Sequence, residues 1–177
     1  MFRAAPILFL TAAAFAQSHQ SPLPPLGDAR AVVLYFIASD CPISNRTLPE
    51  MHRIEHEFSK RNIRFFFVYP NATETPATLK AHEAAYQVIP PVLTDPDQQL
   101  ARLTKAHVTP EAAILIPTAT GLKSVFTGRI DDRNLRFGVE RPAATHHDLE
   151  DALNALLANR PIPPPAGPPV GCTFVTR

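Results

Sequence analysis

A run of seven apolar residues, Ala31 to Ile37 (AVVLYFI), leads within four positions to Cys41-Pro42 and then into an amphipathic pattern. A short apolar run without polar alternation suits a strand buried on both faces, and such a strand requires a sheet covered by a layer on each side. After the cysteine, Leu48, Met51, Ile54 and Phe58 recur at helical spacing with charges between them, predicting a helix from about Ile43 to Lys60. Cys41 therefore falls where a strand hands over to a helix, facing the unpaired N–H groups and positive dipole end of that helix.

The rest of the chain continues the alternation. Ile63 to Tyr69 (IRFFFVY) is a second aromatic and β-branched run, ended by Pro70-Asn71. Pro76 to Tyr86 reads as a helix with proline at its start, Val92-Leu93 as a short extended piece, and Gln98 to Lys105 as a further short helix. Ala112–Ile116 and Leu122–Phe126 flank Pro117 to Gly121 as a hairpin. Thr145-His-His-Asp148 has the form of a helix cap before Leu149, Leu153, Leu156 and Leu157, and Pro161 stops that helix. Strands alternating with helices and then a hairpin with a final helix indicate an α/β layered fold.

Composition bounds the function. The chain is 45% apolar and 19% charged, as in an ordinary globular domain, and of its 20 prolines nine cluster at Pro22–Pro25 and Pro161–Pro169, on the flanks of the folded region. A net charge of +1 without a Lys/Arg run gives no footing for nucleic acid or an anionic membrane as partner. Met1 to Ala16 combines Arg3, an apolar stretch and an Ala14-x-Ala16 end, the pattern of a secretory signal peptide; the stretch is far short of the ~20 residues of a membrane span. The expected organisation is a signal peptide at 1–16, a linker at 17–30, one domain at 31–160 and a Pro-rich tail at 161–177, in a periplasmic or secreted protein with no membrane span after cleavage. In such a compartment the two cysteines, Cys41 and Cys172, have to be read as a possible pair.

Cysteines at helix starts have pKa values from roughly 3.5 to 7.5, against about 8.5 unperturbed, so the position favours a reactive Cys41, with the neighbouring Asp40 carboxylate opposing the shift. The segment Phe36 to Ser44 (FIASDCPIS) resembles the F-W-A-S-W-C-P-P-C segment of exported thioredoxin-like proteins. Pro49 stands eight residues after Cys41, like the proline inside the thioredoxin active-site helix, and Thr109-Pro110 resembles the step whose cis-proline faces the nucleophile. The resemblance covers about Ala31 to Ala158, and Gly128–Asp132 (GRIDD) with Gly171-Cys172 match a bacterial redoxin-domain group. It implies an α/β fold of the thioredoxin-like type, three α/β/α layers around a central mixed sheet.

The resemblance also implies an exported thiol-disulfide oxidoreductase, with a disulfide- or thiol-containing protein or a small thiol as partner, and no cofactor or metal. Cys41 would be the nucleophile, Ser44 a hydrogen-bond donor to its thiolate, and Pro42, Thr109 and Pro110 the walls of a groove in which an extended peptide pairs with exposed backbone. This chain departs from the dithiol pattern because Ser44 stands where the second cysteine belongs, so Cys172 or an external thiol has to resolve the mixed disulfide. A permanent Cys41–Cys172 staple, contributing roughly 5 kcal/mol on the chain-entropy model, and two unpaired thiols are the other arrangements open to this sequence.

Two further functions are a non-catalytic binding or assembly module and a peroxiredoxin-like thiol peroxidase with an antioxidant role. Peroxiredoxins carry Thr three residues before the nucleophile, where this chain has Ala38, and this chain offers only Arg129 as a distant guanidinium to stabilise a thiolate. A copper site of the C-x-x-x-C type lacks its second cysteine, Asn45 standing there; His107 or the pair His146-His147 could approach Cys41, but His146 and His147 read as a solvated helix start. His52 and His56, four apart on the first helix, read as a solvated face.

Overall fold

The computed structural model describes residues 23–89 and 91–175, so the signal-peptide expectation at 1–16 lies outside the described residues. A five-stranded sheet forms the centre, in the order β3 (Val92–Thr94), β2 (Ile63–Tyr69), β1 (Ala31–Phe36), β5 (Glu111–Thr118), β6 (Gly121–Gly128). β1, β2 and β3 run parallel, and β5 and β6 antiparallel to their neighbours. The sheet is therefore mixed, and β1 at its middle is buried along its whole length.

Side chains of β1 alternate between two cores, as the pleat requires. Ala31, Val33 and Tyr35 face α1 (Pro42–Phe58) and α4 (Asp148–Leu157), packing with Leu48, Met51, Ile54, Phe58, Leu149 and Leu153. Val32, Leu34 and Phe36 face the other way, against Leu100 and Ala101 of α3 (Gln99–Thr104), Leu23 and the partly buried Leu26 and Phe174. Two residues of this second layer, Leu23 and Leu26, come from the segment expected to be a linker.

α1 begins where the sequence indicates, because Pro42 at its first position needs no N–H partner and carries a helical φ. It ends at Phe58 in a single 3-10 turn closed by Asn62 in the left-handed conformation. α2 (Pro76–Tyr86) is closed at its start by a reciprocal Thr75–Thr78 capping box, and α3 by the Asp95 carboxylate, which accepts from the Gln99 and Ala101 amides at 2.7 and 2.9 Å.

α4 differs from expectation. It starts at Asp148, three residues beyond Thr145, and its cap residue His147 makes no side-chain cap bond. The Thr145 hydroxyl instead donates to the buried Asp132 carboxylate at 2.6 Å, joined there by the Thr145 and His146 amides. A buried carboxylate needs donors more than a helix end open to water does, and Asp132 takes the whole turn. Two short pairings were not apparent in the sequence: β7 (Asn134–Arg136) with β8 (Val139–Glu140), and β4 (Val108–Thr109) with β9 (Cys172–Thr173).

Candidate functional site

Cys41 is the N-cap of α1, in extended conformation with φ −89° and ψ 107°. Its sulfur is completely buried. It accepts from the Ser44 amide at 3.5 Å and, as a thiol, donates to the Thr109 carbonyl at 3.0 Å. The Thr109–Pro110 peptide is cis, and the turn it makes brings this carbonyl against the helix start, 68 residues away in sequence.

Cys172 closes the site. Its Sγ lies 2.7 Å from Cys41 Sγ, both as free thiols, and donates to it. The approach results from strand pairing: Cys172 sits opposite Thr109 and Thr173 opposite Val108 in the antiparallel β4–β9 ladder. Burial, the hydrogen bond to Cys41 and the charges of Cys41 and Asp40 together push the Cys172 thiol up to about 12.

Ser44 meets the sulfur through its backbone. Its backbone N–H, the orphan donor of a helix start, reaches the sulfur, while its buried hydroxyl has no partner. Pro42 is exposed beside the site, and Thr109 and Pro110 are buried under the tail. Among the residues named from the sequence, the structure thus brings Cys41, Cys172, Ser44, Thr109 and Pro110 together.

Behind the helix start runs a buried polar chain. Tyr69 Oη meets His82 Nδ1 at 2.7 Å, His82 Nε2 meets Asn45 Oδ1 at 2.8 Å, and Asn45 Nδ2 donates to the Ser39 carbonyl at 3.2 Å. Ser39 N in turn donates to Glu74 Oε1 at 2.7 Å. Burial lowers the pKa of His82 and raises that of Glu74, the latter opposed by the Ser39 bond. This network fixes the Ser39-Asp40 loop from which Cys41 is presented. The polar residues were visible in the sequence, but their convergence from α1, β2 and α2 was not.

Arg129 does not serve the thiol. Its Nε donates to Asp148 Oδ2 at 2.7 Å, and its guanidinium lies against Gly167. Nor do the histidines gather at Cys41: His107 leans on Glu111, His146 on Asp132, and His147 toward Glu50. His52 is half-buried, its ring 5.6 Å from that of Phe67, rather than fully solvated. Among the described residues, Glu50, His147 and Glu150 place ligand atoms within 4.8 Å of one another, but Arg53 is bonded to both carboxylates and occupies the place a cation would take.

The architecture and the cysteine beside a cis-proline define a thioredoxin-like protein. Residues 7–126 match the AhpC/TSA family, and the chain belongs to that family. Among solved structures it is similar to an uncharacterised conserved protein from Geobacillus kaustophilus, at 25% identity and a TM-score of 0.69, over 84% of this chain and 78% of that one. A hypothetical protein from Sinorhizobium meliloti 1021 matches at 22% identity and a TM-score of 0.70, over 86% of this chain and 82% of that one. A thioredoxin-like protein solved in its oxidised form shares the fold at 15% identity and a TM-score of 0.52, over 75% of this chain and 80% of that one. No curated protein matches the chain.

Proposed function

We propose that this protein is an exported thiol-disulfide oxidoreductase that cycles between a Cys41/Cys172 dithiol and a Cys41–Cys172 disulfide. The observation that carries the reading is the 2.7 Å approach of the two sulfurs beside the cis Thr109–Pro110 peptide. A disulfide bond is about 2.05 Å long, so closing it takes less than an ångström of sulfur movement. The Met1–Ala16 pattern supports export, and among the described residues no helix is long and apolar enough to cross a membrane.

In the reductive direction the Cys41 thiolate attacks a partner disulfide, forming a Cys41–partner bond and expelling one partner thiolate. Cys172, after losing its proton, attacks the Cys41 sulfur and expels the second partner thiolate. The partner gains two electrons and two protons, and the protein is left as the disulfide; the reverse sequence oxidises a partner dithiol. Cys172 is the resolving group in this scheme because its proton is held more firmly than an ordinary thiol's. Thr109 and Pro110 line the groove in which the partner chain lies, with Pro42 at its edge. Partners are disulfide- or thiol-containing proteins or small thiols, and neither a cofactor nor a metal takes part.

Mass-spectrometric mapping of both cysteines across graded glutathione buffers tests this. A pair that opens between roughly −180 and −270 mV, the range of known exchangers, is the expected result. A pair closed well below about −300 mV is a structural staple instead. The complete burial of Cys41 favours a second reading, a non-catalytic binding module, for which both thiols stay free and slow across the whole series.

A further inference from the structure

The tail does more than deliver Cys172. Val170 packs with Ala38, Cys41 and Ile43, and the Phe174 ring lies 5.6 Å from that of Phe36. Phe174 N donates to the His107 carbonyl at 3.2 Å and Val175 N to Asn71 Oδ1 at 2.9 Å. Upstream, Ala166 N donates to Asp148 Oδ1. Neither the ring contact nor any of these hydrogen bonds involves a sulfur.

At the centre the fit is close. A Cβ on Gly171 would meet Thr109 O at 2.2 Å and Thr109 C at 2.6 Å, both of them backbone atoms. Rigid backbone cannot yield as a flexible side chain can, so only glycine passes the cis turn in this register.

We propose that Val170–Phe174 is an internal peptide ligand of the groove beside Pro110, shielding Cys41 until a partner strand displaces it, and that the groove selects partner segments with glycine immediately before the cysteine. Selection works by exclusion: an extended chain with any side chain at that position clashes with the Thr109 carbonyl before its cysteine reaches Cys41. Gating works by population, since a partner's apparent affinity is reduced by the fraction of molecules with the tail released. The inference uses Cys41 as the reactive thiol of the proposed function, but its test requires no redox exchange, so the two fail separately.

The test uses the reduced full-length chain carrying Cys172→Ser, which leaves Cys41 as its one thiol, and measures the rate of Cys41 alkylation by iodoacetamide. Adding Gly171→Val is expected to accelerate alkylation at least ten-fold. A synthetic peptide of sequence PVGSTFVT, supplied in excess to that double variant, is expected to restore protection, whereas PVVSTFVT is not. Reprotection in trans also shows that the groove remains folded, because an unfolded chain has no groove to refill. If circular dichroism shows that Gly171→Val has disrupted the fold, Phe174→Ala takes its place with the same expected acceleration. The proposal is overturned if Cys172→Ser alone reacts as fast as the double variant, or if the two peptides protect equally.

Discussion

Asp148 and Arg129 form an ion pair, Nε to Oδ2 at 2.7 Å, whose carboxylate is buried and whose second oxygen accepts from Ala166 of the tail. One side chain thus ties the first turn of α4 to the end of β6 and to the Pro-rich strap.

Asp148→Ala is therefore expected to cost about 2 kcal/mol, the order of leaving a partly buried donor unpaired, and to free residues 161–169 from the domain. Urea denaturation measures the first effect and amide hydrogen exchange at Ala166 the second. Unchanged exchange at Ala166 would show that the prolines alone hold the strap.

Cys172 makes a pH prediction with a definite sign. Its thiol is raised to about 12 by burial, by the hydrogen bond to Cys41 and by negative charge, so the neutral form is the one that docks. The stability this contributes to the reduced tail is fully present below the ordinary thiol range and is lost as pH rises through the raised value. In Cys41→Ser, the two causes that Cys41 supplies disappear, while burial and the Asp40 charge remain. The inflection in Cys172 alkylation against pH should then move down toward about 8.5, and an unmoved inflection contradicts the assigned coupling.

His82 predicts acid sensitivity. Burial lowers its pKa, so the unfolded chain takes up a proton that the folded one resists. The stability from this group is present above about pH 6.5, the unfolded value, and is lost as pH falls through the lower folded value. His82→Gln, which can still reach Tyr69 or Asn45, should flatten urea stability between about pH 5 and 7 relative to the native chain.

Asp132 predicts a role in folding rather than catalysis. Burial pushes its carboxyl up, but hydrogen bonds from Thr145 and His146 outweigh that and hold it well below the usual range. Asp132→Ala strands several of these donors and should destabilise the chain by about 2 kcal/mol or more, while leaving Cys41 alkylation within a factor of two in the folded fraction. A selective loss of thiol reactivity without destabilisation would return this carboxylate to the site.

Much of the framework follows from local pattern. The buried run at Ala31 to Phe36, the helical spacing from Leu48 to Phe58 and the hairpin around Gly121 depend on neighbours along the chain, and the sheet and helices form at those positions. The cysteine between strand and helix start was likewise visible, because a helix terminus is a local object.

What local pattern could not supply was every relationship made by distant segments. Thr145 looked like a cap until Asp132 was placed beside it, Arg129 looked available until Asp148 claimed it, and Ser44 meets the sulfur through its amide and not its hydroxyl. The two sulfurs are 131 residues apart in sequence. Their approach depends on a two-residue ladder too short to carry a periodic signal, and on a glycine whose necessity appears only when the Thr109 carbonyl stands against it. Side-chain periodicity records which face of an element is buried, whereas the identity of the segment covering that face is settled by tertiary packing.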